Sequence, residues 1–403
     1  MTSAVPHPDA VAAVLRRGAA RPDVDERALR ERAARVIWSC LIEPGDGTAG
    51  ALIDARGPVG ALELVAGLVR DLAAGGLHVE PELTRALERW QPRMDLALVT
   101  AAVEQAARRG IRILTPDDAL WPHALDDLGE HTPPCLWVRG DPAALGCGEP
   151  ARPTRRSVAL VGARAATAYG EHAAGELAAG LARESVSVVS GAAYGIDGAA
   201  HRAVLAAGGT TVAFLAGGCD RPYPAGHTDL IAQIARTGAV VSEVPCGSAP
   251  TKWRFLQRNR LIAACADATV VVEAGLRSGS LNTAGHAATL GRPLGAVPGP
   301  ITSAASAGAH RLLREFDATC VTSTEEVLEL IGVTCRAAAR QTEGRPTDDR
   351  TRVRDALSAR VARSIDEIAA RSGMAVSDVK ACLGVLLLGG EVEAAGEGWR
   401  RRG

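Results

Sequence analysis

The chain has 403 residues, 47% of them hydrophobic, and a formal net charge of -1. That length exceeds one ordinary domain, so two or three folded units with sizeable cores are expected. Near-neutrality excludes a uniformly basic nucleic-acid coat but leaves room for a basic groove on a neutral body. Aromatics are only 3%, so the cores must be built from Ala, Val and Leu. Lys252 and Lys380 are the only lysines, so anion contacts fall to arginine forks, which bind bidentately. Nine cysteines form no C-x-x-C pair, and they read as reduced cytoplasmic thiols. The first 25 residues lack an apolar h-region, and no uninterrupted apolar run of about 18 residues occurs. Neither a signal peptide nor a transmembrane helix is expected.

Residues 1–25 read as a loose leader. Over 26–107, apolar residues recur at helical spacing, as in Ala34, Ile37, Trp38 and Leu41, then Ala61, Leu62, Leu64 and Val65. Gly45, Gly47, Gly57 and Gly75-Gly76 punctuate them, and the pattern predicts a small helical bundle. From Arg108 the short runs Ile111 to Leu114 and Leu136 to Val138 read as strands leading into the main domain, with a polar connection over 146–156.

From Ser157 to about 332, β-branched runs alternate with helical stretches. Strands are expected at Val158–Val161, Val186–Val189, Thr211–Leu215, Ala239–Ser242, Thr269–Val272 and Leu294–Val297. Continuous apolar strands separated by helices predict a parallel sheet covered on both faces, an α/β, doubly wound, Rossmann-like domain. Residues 333–352 read as a linker. In 353–403, Ser364 and Glu367 form a capping box. A helix from Ser377 to Leu388 and a short strand pair complete a winged-helix pattern.

Four loops follow predicted strands: Gly162-Ala163-Arg164, Ser190 to Asp197, Gly217 to Asp220, and Ser278-Gly279-Ser280. In a parallel sheet these loops share one edge, where helix N-termini offer N–H groups to anions. Arg164 stands where a dinucleotide fingerprint needs its second glycine, which weighs against NAD or FAD, and no cofactor is expected. Asp197 and His201 suggest acid–base chemistry, but a cap and a helix-face histidine is the plainer reading. Cys219 has no positioned base and reads as part of a glycine turn. Ser278-Gly279-Ser280 reads as an anion nest. Between Val244 and Arg314, eight bases face two acids, a local +6 in a neutral chain. Arg258-Asn259-Arg260 is expected to open a helix, one arginine reaching a phosphate and the other bracing the fold. Phe255 or Trp253 offers a face to a base.

These residues, in this order, resemble the DNA-processing protein A family (DprA, also called Smf). The matching segments include Val161 to Arg164, Ser190-Gly191 with Gly195-Ile196-Asp197, Tyr223-Pro224, Phe255 with Arg258-Asn259-Arg260, Glu273-Ala274 with Ser278-Gly279-Ser280, and Val297-Pro298-Gly299. The resemblance implies an extended Rossmann domain preceded by a SAM-like helical region and followed by a winged helix. It implies binding of single-stranded DNA without sequence preference, a homodimer, and delivery of RecA onto incoming strands during natural transformation. It implies no catalysis. The family's DNA contacts fall here on Gly162, Arg164, Phe255, Arg258, Asn259, Ser278, Gly279, Ser280 and Arg260; the family's lysine contacts have no clear lysine here, and Lys252 or a nearby Arg stands in. Leu256 replaces the proline common after the Phe. Two other readings compete: a Rossmann-fold nucleotide-binding hydrolase resembling the phosphoribohydrolases, whose P-G-G-x-G-T signature is absent, and a scaffold whose winged helix binds duplex DNA or a protein.

Overall fold

The apolar runs become strands, and the helical segments between them cross over one face of the sheet or the other. The computed structural model describes residues 5–18, 25–74, 80–146, 156–333 and 348–402. It divides into two compact units, Met1–Cys335 and Arg336–Gly403. The Gly75-Gly76 break, most of the connection over 146–156 and most of the linker over 333–352 lie outside the described residues.

The larger unit opens with five helices: α1 (Pro8–Gly18), α2 (Glu26–Leu41), α3 (Gly47–Ala73), α4 (Pro81–Trp90) and α5 (Leu96–Arg108). The leader expected at the start is therefore partly structured. Pro8 and Asp9 begin α1, and its Val11 is wholly buried. The reason is an apolar stripe of Val11, Ala12 and Leu15, which packs in the core of the helical bundle. Trp38 and Trp90 meet edge to face at 5.3 Å inside the bundle. The same core continues into Trp137, Leu215 and Val240 of the sheet, so bundle and sheet share apolar packing.

The sheet comprises β1 (Ile111–Leu114), β2 (Leu136–Gly140), β3 (Ser157–Gly162), β4 (Ser187–Ser190), β5 (Thr211–Leu215), β6 (Ala239–Ser242), β7 (Ala268–Glu273), β8 (Leu294–Ala296) and β9 (Thr319–Cys320). Their order is β1-β2-β6-β5-β4-β3-β7-β8-β9. From β6 to β9 all pairs are parallel, and β2 is antiparallel to both β1 and β6. Helices α6 (Ala168–Arg183), α7 (Ile196–Ala206), α8 (Thr228–Thr237), α9 (Lys252–Ala264) and α10 (Ser280–Thr289) follow β3 to β7 in turn. Helices α11 (Ala307–Glu315) and α12 (Thr324–Leu330) follow β8 and β9, and neither they nor β9 were expected. Val158 and Leu160 pack with α6 and α7, while Ala159 and Val161 pack with α9 and α10. Alternate residues of one strand thus serve two cores, which is why these strands read as unbroken apolar runs.

In the smaller unit, α13 (Asp349–Ala356), α14 (Ile365–Ser372) and α15 (Val376–Leu388) pack with the hairpin β10 (Val392–Ala395) and β11 (Gly398–Arg401). Their core includes Val353, Ile368, Leu383 and Val392. The expected capping box is present: Ser364 N–H donates to Glu367 at 2.9 Å, and Glu367 N–H donates to Ser364 Oγ at 3.2 Å. Helix α13 begins inside the span read as linker, because Asp348 caps it by accepting from Thr351 N–H. Among the described residues, no helix is long and apolar enough to cross a membrane.

Candidate nucleic-acid interface

Strand order reverses at β3: the chain runs to β4, β5 and β6 on one side and returns to β7 on the other. In an open α/β sheet this is where a crevice opens beyond the strand ends. A cleft of about 480 Å³ lies there. Its lining comes from Gly162 to Ala165 at the end of β3 and just after it, Ala193 and Asp197 after β4, Phe255, Leu256, Arg258 and Asn259 on α9, and Gly275 with Arg277 to Ser280 after β7. The loop after β5 is not part of this lining. It is tied down elsewhere, with Gly247 N–H donating to Asp220 at 3.0 Å and Gly218 N–H donating to Ser248 O at 3.0 Å.

The loop after β3 is knitted into place from two sides. Ala163 N–H donates to Glu273 O at 2.7 Å, and Ile196 N–H donates to Ala163 O at 3.2 Å. A Cβ on Gly162 would lie 2.5 Å from Ile196 and 2.8 Å from Glu273 O, so this glycine is required by packing. The buried Glu273 carboxylate accepts from Thr167 N–H at 2.8 Å and Thr167 hydroxyl at 2.7 Å. This holds Arg164 at the mouth of the cleft, exposed, with its guanidinium 4.6 Å from the centre of the Phe255 ring. The half-buried Phe255 also meets Tyr223 at 5.6 Å.

Helix α9 starts at Lys252, not at Arg258 as expected. Thr251 caps it by accepting from Arg254 N–H, so Arg258-Asn259-Arg260 falls at the end of the second turn and the start of the third, and is buried. Arg258 donates through Nη1 to Gly191 O at 2.8 Å and to Phe214 O. Burial pushes its pKa down to about 10; Asp197 works against that shift and Arg164 adds to it. Asp197 is not a helix cap. Its carboxylate accepts from Gly191 N–H at 3.1 Å and Ala193 N–H at 3.4 Å, and burial raises its pKa while Arg258 opposes the rise. Asn259 reaches across to the loop after β7, donating to Gly279 O at 3.3 Å and Asn282 Oδ1 at 3.2 Å. That loop carries Ser278 and Ser280, whose hydroxyls lie 2.7 Å apart, and it delivers the N-terminus of α10 to the cleft. The Leu281 and Asn282 N–H groups there are bonded to Ser278 O and Gly279 O, but the helix dipole still places partial positive charge at that end, suited to an anion.

The family model described as DNA recombination-mediator protein A matches residues 112–332, and the one described as DprA winged helix domain matches 336–398. The chain belongs to the DprA/Smf family. A Mycobacterium tuberculosis relative that carries the name DNA processing protein DprA is 45% identical over 380 residues, 90% of this chain and 92% of its own. A Bacillus subtilis DNA processing protein DprA is 32% identical over 247 residues, 61% of this chain and 78% of its own. The X-ray structure of DprA from Streptococcus pneumoniae superposes with a TM-score of 0.59 at 30% identity, over 74% of this chain and 97% of that one.

Within this DprA fold, Gly162, Arg164, Phe255, Arg258, Asn259, Ser278, Gly279 and Ser280 all line the one cleft. Lys252 and Arg260 do not. Lys252 is exposed at the start of α9, and Arg260 is committed to a buried pair with Glu243. Its guanidinium is thus taken up inside the fold, in the bracing position. Arg277, part of the basic stretch but not among the expected site residues, also lines the cleft and is exposed. Its position immediately before the Ser-Gly-Ser nest was the signal.

Two groups prove to be interior fittings. Cys219 is buried and donates to Trp137 O at 3.0 Å, and burial raises its thiol pKa well above the ordinary value. His201 is wholly buried beside Thr211 at 2.7 Å. The Thr211 hydroxyl donates to Val188 O, so His201 Nδ1 is the donor and Nε2 carries the lone pair. Burial pushes the His201 pKa down to about 3. The unfolded chain takes up this proton near pH 6.5 and the folded chain does not. Folding stability from this group is thus complete above 6.5 and falls as the pH drops toward 3. At pH 5 the loss is about 2 kcal/mol. Urea titrations at pH 7 and pH 5 should show His201→Gln losing less stability than wild type by about that amount; equal losses would reject the neutral-core reading.

Proposed function

We propose that this protein binds single-stranded DNA without sequence preference in the cleft at the β3/β7 switch point. In that role it is a cytoplasmic, homodimeric mediator that protects incoming strands and loads RecA during natural transformation. The observation that carries the reading is the convergence on one cleft of an exposed arginine, a half-buried aromatic ring and a helix N-terminus bearing two hydroxyls. Such a set recognises a phosphate backbone and a base face, not a base edge, and so is indifferent to sequence. Family membership supports the same reading. Arg164 and the Ser278-Gly279-Ser280 backbone hold phosphates, Phe255 stacks, and Arg258 and Asn259 position the floor and the far wall.

The role is binding, not catalysis. Asp197, the carboxylate at the cleft floor, already accepts two backbone N–H groups and faces Arg258, which leaves it poorly placed to move a substrate proton. A gel-shift titration with single-stranded oligonucleotide, duplex and mononucleotide tests the reading. Preference for the single strand is expected; release of free base from a nucleotide would favour the hydrolase instead. Arg164→Ala should weaken binding to all sequences alike and lower the log-log salt slope by about 0.7. Phe255→Ala should cost about 1–3 kcal/mol of binding if the ring stacks a base, and undiminished affinity in a folded variant would show that it does not.

A further inference from the structure

The basic stretch from Val244 to Arg314 suggested a cationic surface, yet most of its charge is answered inside the protein. Arg254 pairs with Glu43 at 2.8 Å, Arg260 with Glu243 at 2.6 Å, Arg292 with Asp127 at 2.6 Å and Arg311 with Glu315 at 2.8 Å. Arg258 is buried, with Nη1 bonded to two interior carbonyls. Among the described residues, Lys252, Arg277 and Arg314 make no ion pair, and all three are exposed. Of these three, only Arg277 lines the cleft. The stretch therefore presents one uncommitted guanidinium to the proposed DNA path.

We propose that Arg277 is a phosphate-binding residue for single-stranded DNA, acting from the β7 side of the switch point as Arg164 acts from the β3 side. The inference rests on the strand-binding reading above. Strands β3 and β7 are hydrogen-bonded neighbours, so their outgoing loops flank the same crevice. Arg164 already shares its charge with the Phe255 ring at 4.6 Å. Arg277 has no such partner, and it sits directly before Ser278-Gly279-Ser280, where the N-terminus of α10 favours negative charge. A backbone crossing from one loop to the other meets a guanidinium on each bank and the hydroxyl nest beside the second. The pair also explains how a chain nearly without lysine can grip a polyanion: two forks substitute for point charges.

The test is a salt titration of binding to a fluorescent oligo-dT and a mixed-sequence single strand, using the full-length chain. Arg277→Gln should lower the log-log slope by about 0.7 on both strands, and Arg277→Lys should keep the wild-type slope. Arg164→Ala/Arg277→Gln should lower it by about 1.4, since two independent contacts add. Arg314→Ala, an exposed arginine outside the cleft, should leave the slope unchanged. Arg277 makes no ion pair with the described residues, so its variants are expected to keep the wild-type unfolding midpoint. A wild-type slope in Arg277→Gln, while Arg164→Ala still falls, would overturn the assignment and leave the strand-binding reading standing. An equal fall in Arg314→Ala would also overturn it, because the effect would then report net charge and not the site. Absence of single-strand binding by the wild-type protein would reject both.

Discussion

Arg260→Ala is expected to lose about 3–5 kcal/mol of folding stability, the scale for breaking a buried ion pair by removing one partner. Arg260 and Glu243 meet through two parallel contacts of 2.7 and 2.6 Å, and the arginine also donates to His131 O at 2.8 Å and Gln257 O at 3.2 Å. The side chains of both residues are under a tenth exposed. Glu243 follows directly on β6, so one guanidinium ties the sheet edge, α9 and the segment ending at His131. Truncation leaves a carboxylate and a carbonyl without this donor in a buried site, where a bare charge is costly. Replacing both partners, as Arg260→Met/Glu243→Leu, should recover much of the loss because no charge is then stranded. Urea unfolding at pH 7 reads both variants. A loss under about 1 kcal/mol for Arg260→Ala would mean that water reaches the pair and that it behaves as a surface salt bridge.

The sheet was legible because its signal is local. Runs such as Val158 to Val161 and Val270 to Val272 are apolar without alternation, and only a strand buried on both faces needs that. The convergence of loops on one edge followed from parallel topology alone. What stayed hidden depends on partners far away in sequence. Arg258 and Arg260 look alike as text, and nothing near them tells which carbonyls or carboxylate they meet. Their partners are Gly191, Phe214 and Glu243, brought close by the crossovers. Thr251 after a proline was a readable cap, and weighting it would have placed α9 six residues earlier and the arginines inside. Asp197 looked like a cap by position, yet its side chain turns back onto the loop it follows, a choice that tertiary structure makes. Helix α1 carries an apolar stripe that is short and rich in alanine, so its periodic signal is weak.

Arg258→Ala is the second large effect, and it separates two roles that the sequence left joined. The side chain lines the cleft, so loss of DNA binding on its removal reads at first as loss of a phosphate contact. The geometry predicts otherwise. Its Nη1 closes the carbonyls of Gly191 and Phe214, and its charge opposes the burial that raises the Asp197 pKa. A Cβ on Gly191 would lie 2.4–2.6 Å from the guanidinium, so the loop after β4 is shaped to that plane. Truncation should cost about 3–5 kcal/mol of stability, as for any uncompensated buried charge. The penalty has a pH signature. With the arginine gone, the Asp197 carboxyl is pushed further up, so the folded state binds a proton that the unfolded state releases. The deficit relative to wild type is full above the raised Asp197 pKa and shrinks as pH falls through it toward the ordinary carboxylate range. Arg258→Ala/Asp197→Asn should regain part of the loss and flatten that pH dependence. Arg258→Lys should not rescue, since one ammonium cannot reproduce the planar fork. At a temperature where Arg258→Ala remains folded, its salt slope for single-stranded DNA should match wild type. A variant as stable as wild type with a slope lower by about 0.7 would reverse the assignment and make Arg258 a phosphate ligand.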